Sequence, residues 1–232
     1  MTDTEKLLIQ AKLSESANRH EKTFSLMEQI ILNKKEDLTA EERNLFSNSY
    51  KHIIASLRAS CNKINEVYET EQKKDSKHLD LIKKLKENIE AELKDACEKV
   101  LSILDKQLIP RASNPDSKTL YYKLKGDYNR YLAMFFKDKS FSENALVAYK
   151  QATENSESLS CISLIKIELA LGYSVFYNDI LKNTEEAINI ASEALNEGID
   201  KLQKIDDTDM KDVTSALQIL KDNVDHWTKS QE

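Results

Sequence analysis

Three glycines and two prolines in 232 residues leave this chain few places to turn sharply. Sheet-rich folds need a turn roughly every ten residues, and tight hairpins draw on the positive φ that glycine adopts without strain. So small a supply of turn formers excludes most β-rich architectures and favours long helices joined by short connections. The rest of the composition agrees: 40% hydrophobic and 32% charged residues suit amphipathic helices rather than disorder. The expected fold class is all-α, with roughly nine helices in a single domain covering 1–232.

Apolar spacing places these helices along the chain. The first runs from Asp3 to about Arg19, and the second covers about 21–34. Thr39 with Glu42 three residues later forms a capping-box pattern that opens a long third helix. Its apolar stripe reads Phe46, Tyr50, Ile53, Leu57, Ile64 and Tyr68, with Lys51, Ile54 and Arg58 beside it. The fourth helix, about 76–108, keeps its period through Leu85, Ile89, Leu93, Cys97, Val100 and Leu104, and Pro110 is expected to end it. Asn114 followed by Pro115 is an N-cap with proline at the first helical position. The helix it starts, to about 136, buries Leu120, Leu124, Tyr128, Leu132 and Phe135, with Lys123, Asp127, Arg130 and Tyr131 on a flanking face. Helices of about 141–154, 160–181, 184–204 and 209–229 follow. The segment from Cys161 to Leu181 is apolar almost all round, which suits a central helix packed on several sides.

Much chemistry is excluded. A net charge of −6 argues against a general binder of nucleic acid or of anionic membranes. Cys61, Cys97 and Cys161 form no CxxC and leave an odd count, so reduced thiols are expected. No signal-peptide apolar region opens the sequence and no apolar run approaches transmembrane length, which points to a soluble protein of the cytoplasm or the nucleus. His20, His52, His78 and His226 lie far apart, without the repeated Glu-x-x-His pairs of helical-bundle metal sites. No phosphate-cradling glycine loop and no GxSxG is present. No metal, no cofactor and no catalytic activity are expected.

Against this acidic background two basic pairs stand out. Lys51 and Arg58, and Lys123 and Arg130, are each spaced seven apart, which is two helical turns or about 10 Å along one face. Tyr131 adjoins the second pair, and Asp127 lies four residues after Lys123 and three before Arg130, where it can orient either cation. If the two helices lie side by side, four cations and a phenol could surround one tetrahedral dianion. Guanidinium groups and an ammonium are the donors such an anion takes.

The surrounding sequence resembles the 14-3-3 family. The run RNLFSNSYKHIIASLRAS, Arg43 to Ser60, is similar to the family signature RNLLS-x-x-YKN. SKTLYYKLKGDYNRYLA, Ser117 to Ala133, resembles the family's K-M-K-G-D-Y-x-R-Y-L segment, and LQILKDNVDHWTK, Leu217 to Lys229, resembles QLLRDNLTLWTS. The likeness runs in order from Ala11 to Thr228.

The resemblance implies nine antiparallel helices forming a concave groove, in a protomer that pairs into a W-shaped dimer. Helices of about 3–108 would supply dimerisation and the groove floor, and those of about 115–229 the groove walls. The groove would bind phosphoserine or phosphothreonine peptides of client proteins, so the expected function is a phosphate-dependent adaptor in signalling; recognition of a phosphorylated motif by an arginine cluster is the mode. Family phosphate-binding positions fall on Lys51, Arg58, Arg130 and Tyr131, with Lys123 nearby. The opposite wall carries over to Leu171, Val175, Ile219 and Trp227, with Asp222 and Asn223 as polar contacts. Dimer positions, in a homodimer or a heterodimer with a paralogue, fall on Leu13, Ala17, Arg19, Ser60, Ile64, Val67, Leu85 and Glu92. The alternative is a phosphate-independent helical scaffold for unphosphorylated or acidic peptides.

The chain also departs from the family. Gly172 stands where an Asn usually bonds the peptide backbone, so Gly172→Asn is expected to tighten phosphopeptide binding. His226 replaces a leucine of the wall, Asp179 replaces a glutamate, and Cys61 a tryptophan. Arg19 and Glu92 are positioned to retain one inter-subunit salt bridge of the family, whereas the other pair aligns with Lys22 and Asn88 and cannot form. Exposed ion pairs contribute only about 0–1 kcal/mol, so apolar contacts are expected to decide assembly.

Overall fold

The structure is a computed structural model that describes residues 2–202 and 210–231. Among them are nine α-helices and no strand: α1 Asp3–Ser16, α2 His20–Asn33, α3 Ala40–Lys73, α4 Leu79–Ile103, α5 Pro115–Phe135, α6 Lys139–Ser156, α7 Leu164–Asp179, α8 Thr184–Leu202 and α9 Lys211–Lys229. The expected end of α8 at 204 and start of α9 at 209 lie outside the described residues. The chain forms two compact units, Met1–Ala112 and Ser113–Glu232.

Glycine-free helix ends explain how the chain turns with so few turn formers. Asn18, Asp75 and Lys182 adopt φ of 55°, 51° and 55°, the left-handed conformation that glycine usually supplies at a helix C-terminus. After α1, Asn18 N–H donates to the Glu15 carbonyl at 2.9 Å and Arg19 N–H to the Ser14 carbonyl at 2.8 Å, so α1 stops short of the expected Arg19. N-termini are closed by side chains. Thr39 accepts from Glu42 N–H, while Glu42 reaches back to Thr39 N–H at 2.7 Å. Asn114 accepts from Ser117 N–H at 2.9 Å, with Pro115 at the first helical position.

In the first unit α3, 34 residues long, packs between α2 and α4. Its core positions are Phe46, Tyr50, Ile54, Cys61 and Ile64, so Ile54 and Cys61 take places expected for Ile53 and Leu57, which are half-buried. Contacts from α4 select this face: the Tyr50 hydroxyl donates to the Ala96 carbonyl, and the Cys61 thiol faces the Ile89 carbonyl at 3.8 Å. α4 itself ends as α-helix at Ile103. Pro110 lacks an N–H and its ring crowds the carbonyl four residues back, so the backbone opens into a π turn, Leu104–Leu108, and closes in a 3-10 turn, Ile109–Arg111. Arg111 then donates to the Ile31 and Lys34 carbonyls at 2.8 and 2.6 Å, fastening this end to α2.

In the second unit α7 packs against α5, α6, α8 and α9, the central place expected of its apolar surface. Ile167, Leu169, Tyr173 and Phe176 are buried, and Leu171 and Val175 are half-buried against the core shared by α8 and α9. Close approach of α5 and α6 depends on Gly126: a Cβ there would lie 2.7 Å from the Tyr149 ring. That contact carries Tyr149 into the candidate site.

Candidate functional site

The site is built on α5, where helical spacing turns three ionisable groups to one side. Lys123, Asp127 and Arg130 are buried, rather than on a solvated flank. Asp127 sits between two cations: its Oδ2 is 3.2 Å from Lys123 Nζ and its Oδ1 is 3.3 Å from Arg130 Nη2. Spacing of three and four residues fixes this arrangement within a single helix.

Two residues from neighbouring helices complete the network. The Tyr149 hydroxyl, from α6, donates to Asp127 Oδ1 at 2.7 Å and accepts from Arg130 Nε at 3.0 Å, closing a ring of three side chains. Glu168, from α7, brings Oε2 to 3.2 Å from Lys123 Nζ. The Arg130 guanidinium also lies over the Tyr131 ring, 4.6 Å from its centroid. Neither Tyr149 nor Glu168 was identified from the sequence. A tyrosine in an amphipathic helix and a lone carboxylate in the apolar run Ile167–Tyr173 were the available signals, since both need partners when buried.

The network keeps its charges. Burial alone would raise the Asp127 pKa, but Lys123 and then Arg130 outweigh it and hold the carboxyl below its usual range. Burial likewise opposes the Lys123 ammonium, yet Asp127 and then Glu168 more than offset it, leaving Lys123 above the ordinary lysine value. Arg130 is raised as well: burial disfavours its charge, and Tyr149, Tyr131 and Asp127 restore it. Burial followed by Asp127 pushes Tyr149 well up, so it remains a hydroxyl donor. The result is an oriented guanidinium with two N–H groups engaged and Nη1 making no hydrogen bond among the described residues.

The other basic pair lies in the first unit. Lys51 is exposed and Arg58 half-buried, both on α3. The groove candidates divide by burial. Leu171, Val175 and Asn223 are half-buried; Ile219, Asp222, His226 and Asp179 are exposed. Trp227 is 6% exposed and belongs to the core with Leu217 and Leu220. Gly172 is buried, and a Cβ added there would stand 2.7 Å from Asp127 Oδ1 and 3.4 Å from the Tyr149 hydroxyl. The gain expected from Gly172→Asn is therefore opposed by displacement of Asp127, a cost that sequence did not show.

The dimer candidates also divide. Leu13 and Leu85 are 66% and 51% exposed, and Ala17, Arg19, Ser60 and Glu92 are exposed. Val67 is half-buried, and Ile64 is buried within its own unit. Among the described residues no group of His, Cys, Asp and Glu is arranged to hold a metal ion, and no helix is long and apolar enough to cross a membrane. Burial followed by Glu90 raises the Cys61 thiol to about 11, and burial raises Cys97 to about 12, so neither is poised as a nucleophile.

Comparison with known proteins bears on this geometry. A family model described as "14-3-3 protein" matches residues 10–228. The chain is 41% identical over 229 residues to 14-3-3 protein 2 of Solanum lycopersicum, covering 96% of this chain and 90% of that protein. It is 38% identical over 237 residues to 14-3-3 protein epsilon of Drosophila melanogaster, covering 100% and 90%, and 38% identical over 234 residues to 14-3-3-like protein D of Nicotiana tabacum, covering 98% and 94%.

Proposed function

Because the chain belongs to the 14-3-3 family, we propose that it is a phosphoserine- and phosphothreonine-dependent adaptor that binds phosphorylated segments of client proteins and performs no chemistry on them. The observation that carries this reading is Arg130. A buried guanidinium, held at Nε by Tyr149 and at Nη2 by Asp127, is a cation oriented before any ligand arrives. Charge-assisted, bidentate pairing with phosphate oxygens is the strongest use of such a group. Lys123 and Tyr131 lie on the same helix, and by the family resemblance Lys51 and Arg58 of α3 are phosphate-binding positions as well. Leu171, Val175, Ile219, Asp222 and Asn223, with Gly172, Asp179 and His226, would read the residues flanking the phosphate. The protein would work as a homodimer or with a paralogue, in the cytoplasm and nucleus, without nucleic acid or membrane as partner.

One observation favours the alternative, a phosphate-independent scaffold: Asp127 and Glu168 already neutralise Lys123 and Arg130. Fluorescence anisotropy with paired phosphorylated and unphosphorylated peptides separates the two. Phosphate-dependent binding that falls at least tenfold, about 1.4 kcal/mol, in Arg58→Ala and in Arg130→Ala is the expected result. Equal affinity for both peptides would overturn the phosphate-dependent reading.

A further inference from the structure

Lys123 has more acid around it than its own burial requires. Asp127 faces it at 3.2 Å, and Glu168 faces it at the same distance from a different helix. The two carboxylates differ in exposure. The Asp127 side chain is 10% exposed and Lys123 11%, whereas Glu168 is 31% exposed. Glu168 is thus the end of the network that solvent, or a ligand, can reach. It stands one helical turn before Gly172, whose own Cβ position meets Asp127, so α7 presents Glu168 and Gly172 along the side that faces α5. Two cations, Lys123 and Arg130, are balanced by two carboxylates, Asp127 and Glu168.

We propose that Glu168 sets the charge selectivity of this site, favouring phosphopeptides that carry a lysine or arginine beside the phosphorylated residue and rejecting those that carry an acidic one. The inference rests on the phosphopeptide reading above and adds to it the class of ligand. A dianion approaching Arg130 brings two negative charges toward a cluster whose net charge is zero. A ligand cation beside the phosphate meets the exposed Glu168 carboxylate, and Lys123 is then released to turn toward the phosphate. A ligand carboxylate in that place has no such partner, and it faces Glu168 with Lys123 already committed. Like-charge juxtaposition is how an interface excludes the wrong partner, and here the repelling group is part of the chain itself.

The test uses one phosphoserine peptide with Lys, Ala or Glu placed in turn on each side of the phosphoserine, each with its unphosphorylated twin. Anisotropy titrations are run on the full chain and on Glu168→Gln, at low and physiological salt. Gln keeps the side chain's shape, and Asp127 continues to neutralise Lys123; a single cooperative urea transition confirms that the variant is folded. The wild-type protein is expected to prefer the Lys peptide over the Glu peptide by about tenfold at low salt, and less at higher salt. Glu168→Gln is expected to abolish most of that preference, chiefly by tightening the Glu peptide, and Glu168→Asp to restore part of it. Phosphate-dependent binding with the same Lys-to-Glu ratio in wild type and Glu168→Gln overturns this inference alone. Absence of phosphate dependence in every arm overturns the binding reading and this inference with it.

Discussion

Replacing Asp127 with Asn keeps the side chain's shape and removes one charge, which isolates what the buried carboxylate contributes. Asp127 receives Lys123 at 3.2 Å, Arg130 at 3.3 Å and the Tyr149 hydroxyl at 2.7 Å. Asn can still accept from Tyr149 and Arg130 through its remaining oxygen. Its amide nitrogen then faces Lys123 Nζ, donor against donor. Breaking a buried ion pair by removing one partner costs roughly 3–5 kcal/mol. Glu168 still faces Lys123 at 3.2 Å, so the expected loss is smaller, about 2–4 kcal/mol. Urea unfolding at fixed protein concentration measures it, read by the fluorescence of Trp227, the single tryptophan, which lies buried in the same unit. With a slope of about 2 kcal/mol per molar, the midpoint should fall by about 1–2 M.

The same variant makes a pH prediction. Asp127 is held below the ordinary aspartate value of 3.8, after the opposing effect of burial, by Lys123 and Arg130. A depressed carboxyl contributes its full stability above that ordinary value and loses it as pH falls through the folded one. The stability gap between wild type and Asp127→Asn should therefore be constant above about pH 4 and narrow in more acidic solution. A double-mutant cycle with Lys123→Met should give a coupling of at least about 1 kcal/mol. A loss below about 0.5 kcal/mol, or a coupling near zero, would refute the assignment of Asp127 as the buried counter-ion.

Two further outcomes are expected. Gly172→Ala should gain about 1 kcal/mol of helix propensity, but its Cβ would stand 2.7 Å from Asp127 Oδ1 and disturb the bonds from Tyr149 and Arg130, so urea unfolding should show a net loss of about 1 kcal/mol; a gain of the whole helix increment would contradict the contact. Leu13 and Leu85 are exposed, and if they pair subunits as the family resemblance implies, Leu13→Asp with Leu85→Asp should shift light scattering from dimer to monomer at micromolar concentration, with no shift if they lie outside the interface.

What sequence made legible was local. The capping box at Thr39 and the N-cap at Asn114 depend on residues within one helical turn, and both form as expected. The 123–127–130 spacing fixes Asp127 between two cations because a single helix supplies all three. Misplaced features required a neighbour. Ile54 and Cys61 rather than Ile53 and Leu57 fill the α3 core, because the helix faces α4 through Tyr50 and Ala96 over a long run in which adjacent phases look alike. The π turn before Pro110 is a backbone response to a residue whose presence was evident and whose consequence was not. Tyr149 and Glu168 lie 22 and 41 positions beyond Asp127, on other helices, and no periodicity joins them to α5.

That distinction matters for how the site works. A buried guanidinium is costly unless its partners are in place, and here the partners fix its orientation as well as its charge. Tyr149 takes Nε and Asp127 takes Nη2, so ligand binding need not order the arginine first. Such preorganisation has an electrostatic consequence. Each carboxylate that steadies a cation also cancels it, and with Glu168 included the α5 cluster carries no net charge. Hydrogen-bond geometry can then orient a phosphate at Arg130 without supplying its long-range attraction. On the proposed function the α5 cluster therefore acts by orientation and selection: Asp127, Tyr149 and Glu168, which hold its two cations, decide which anion is kept.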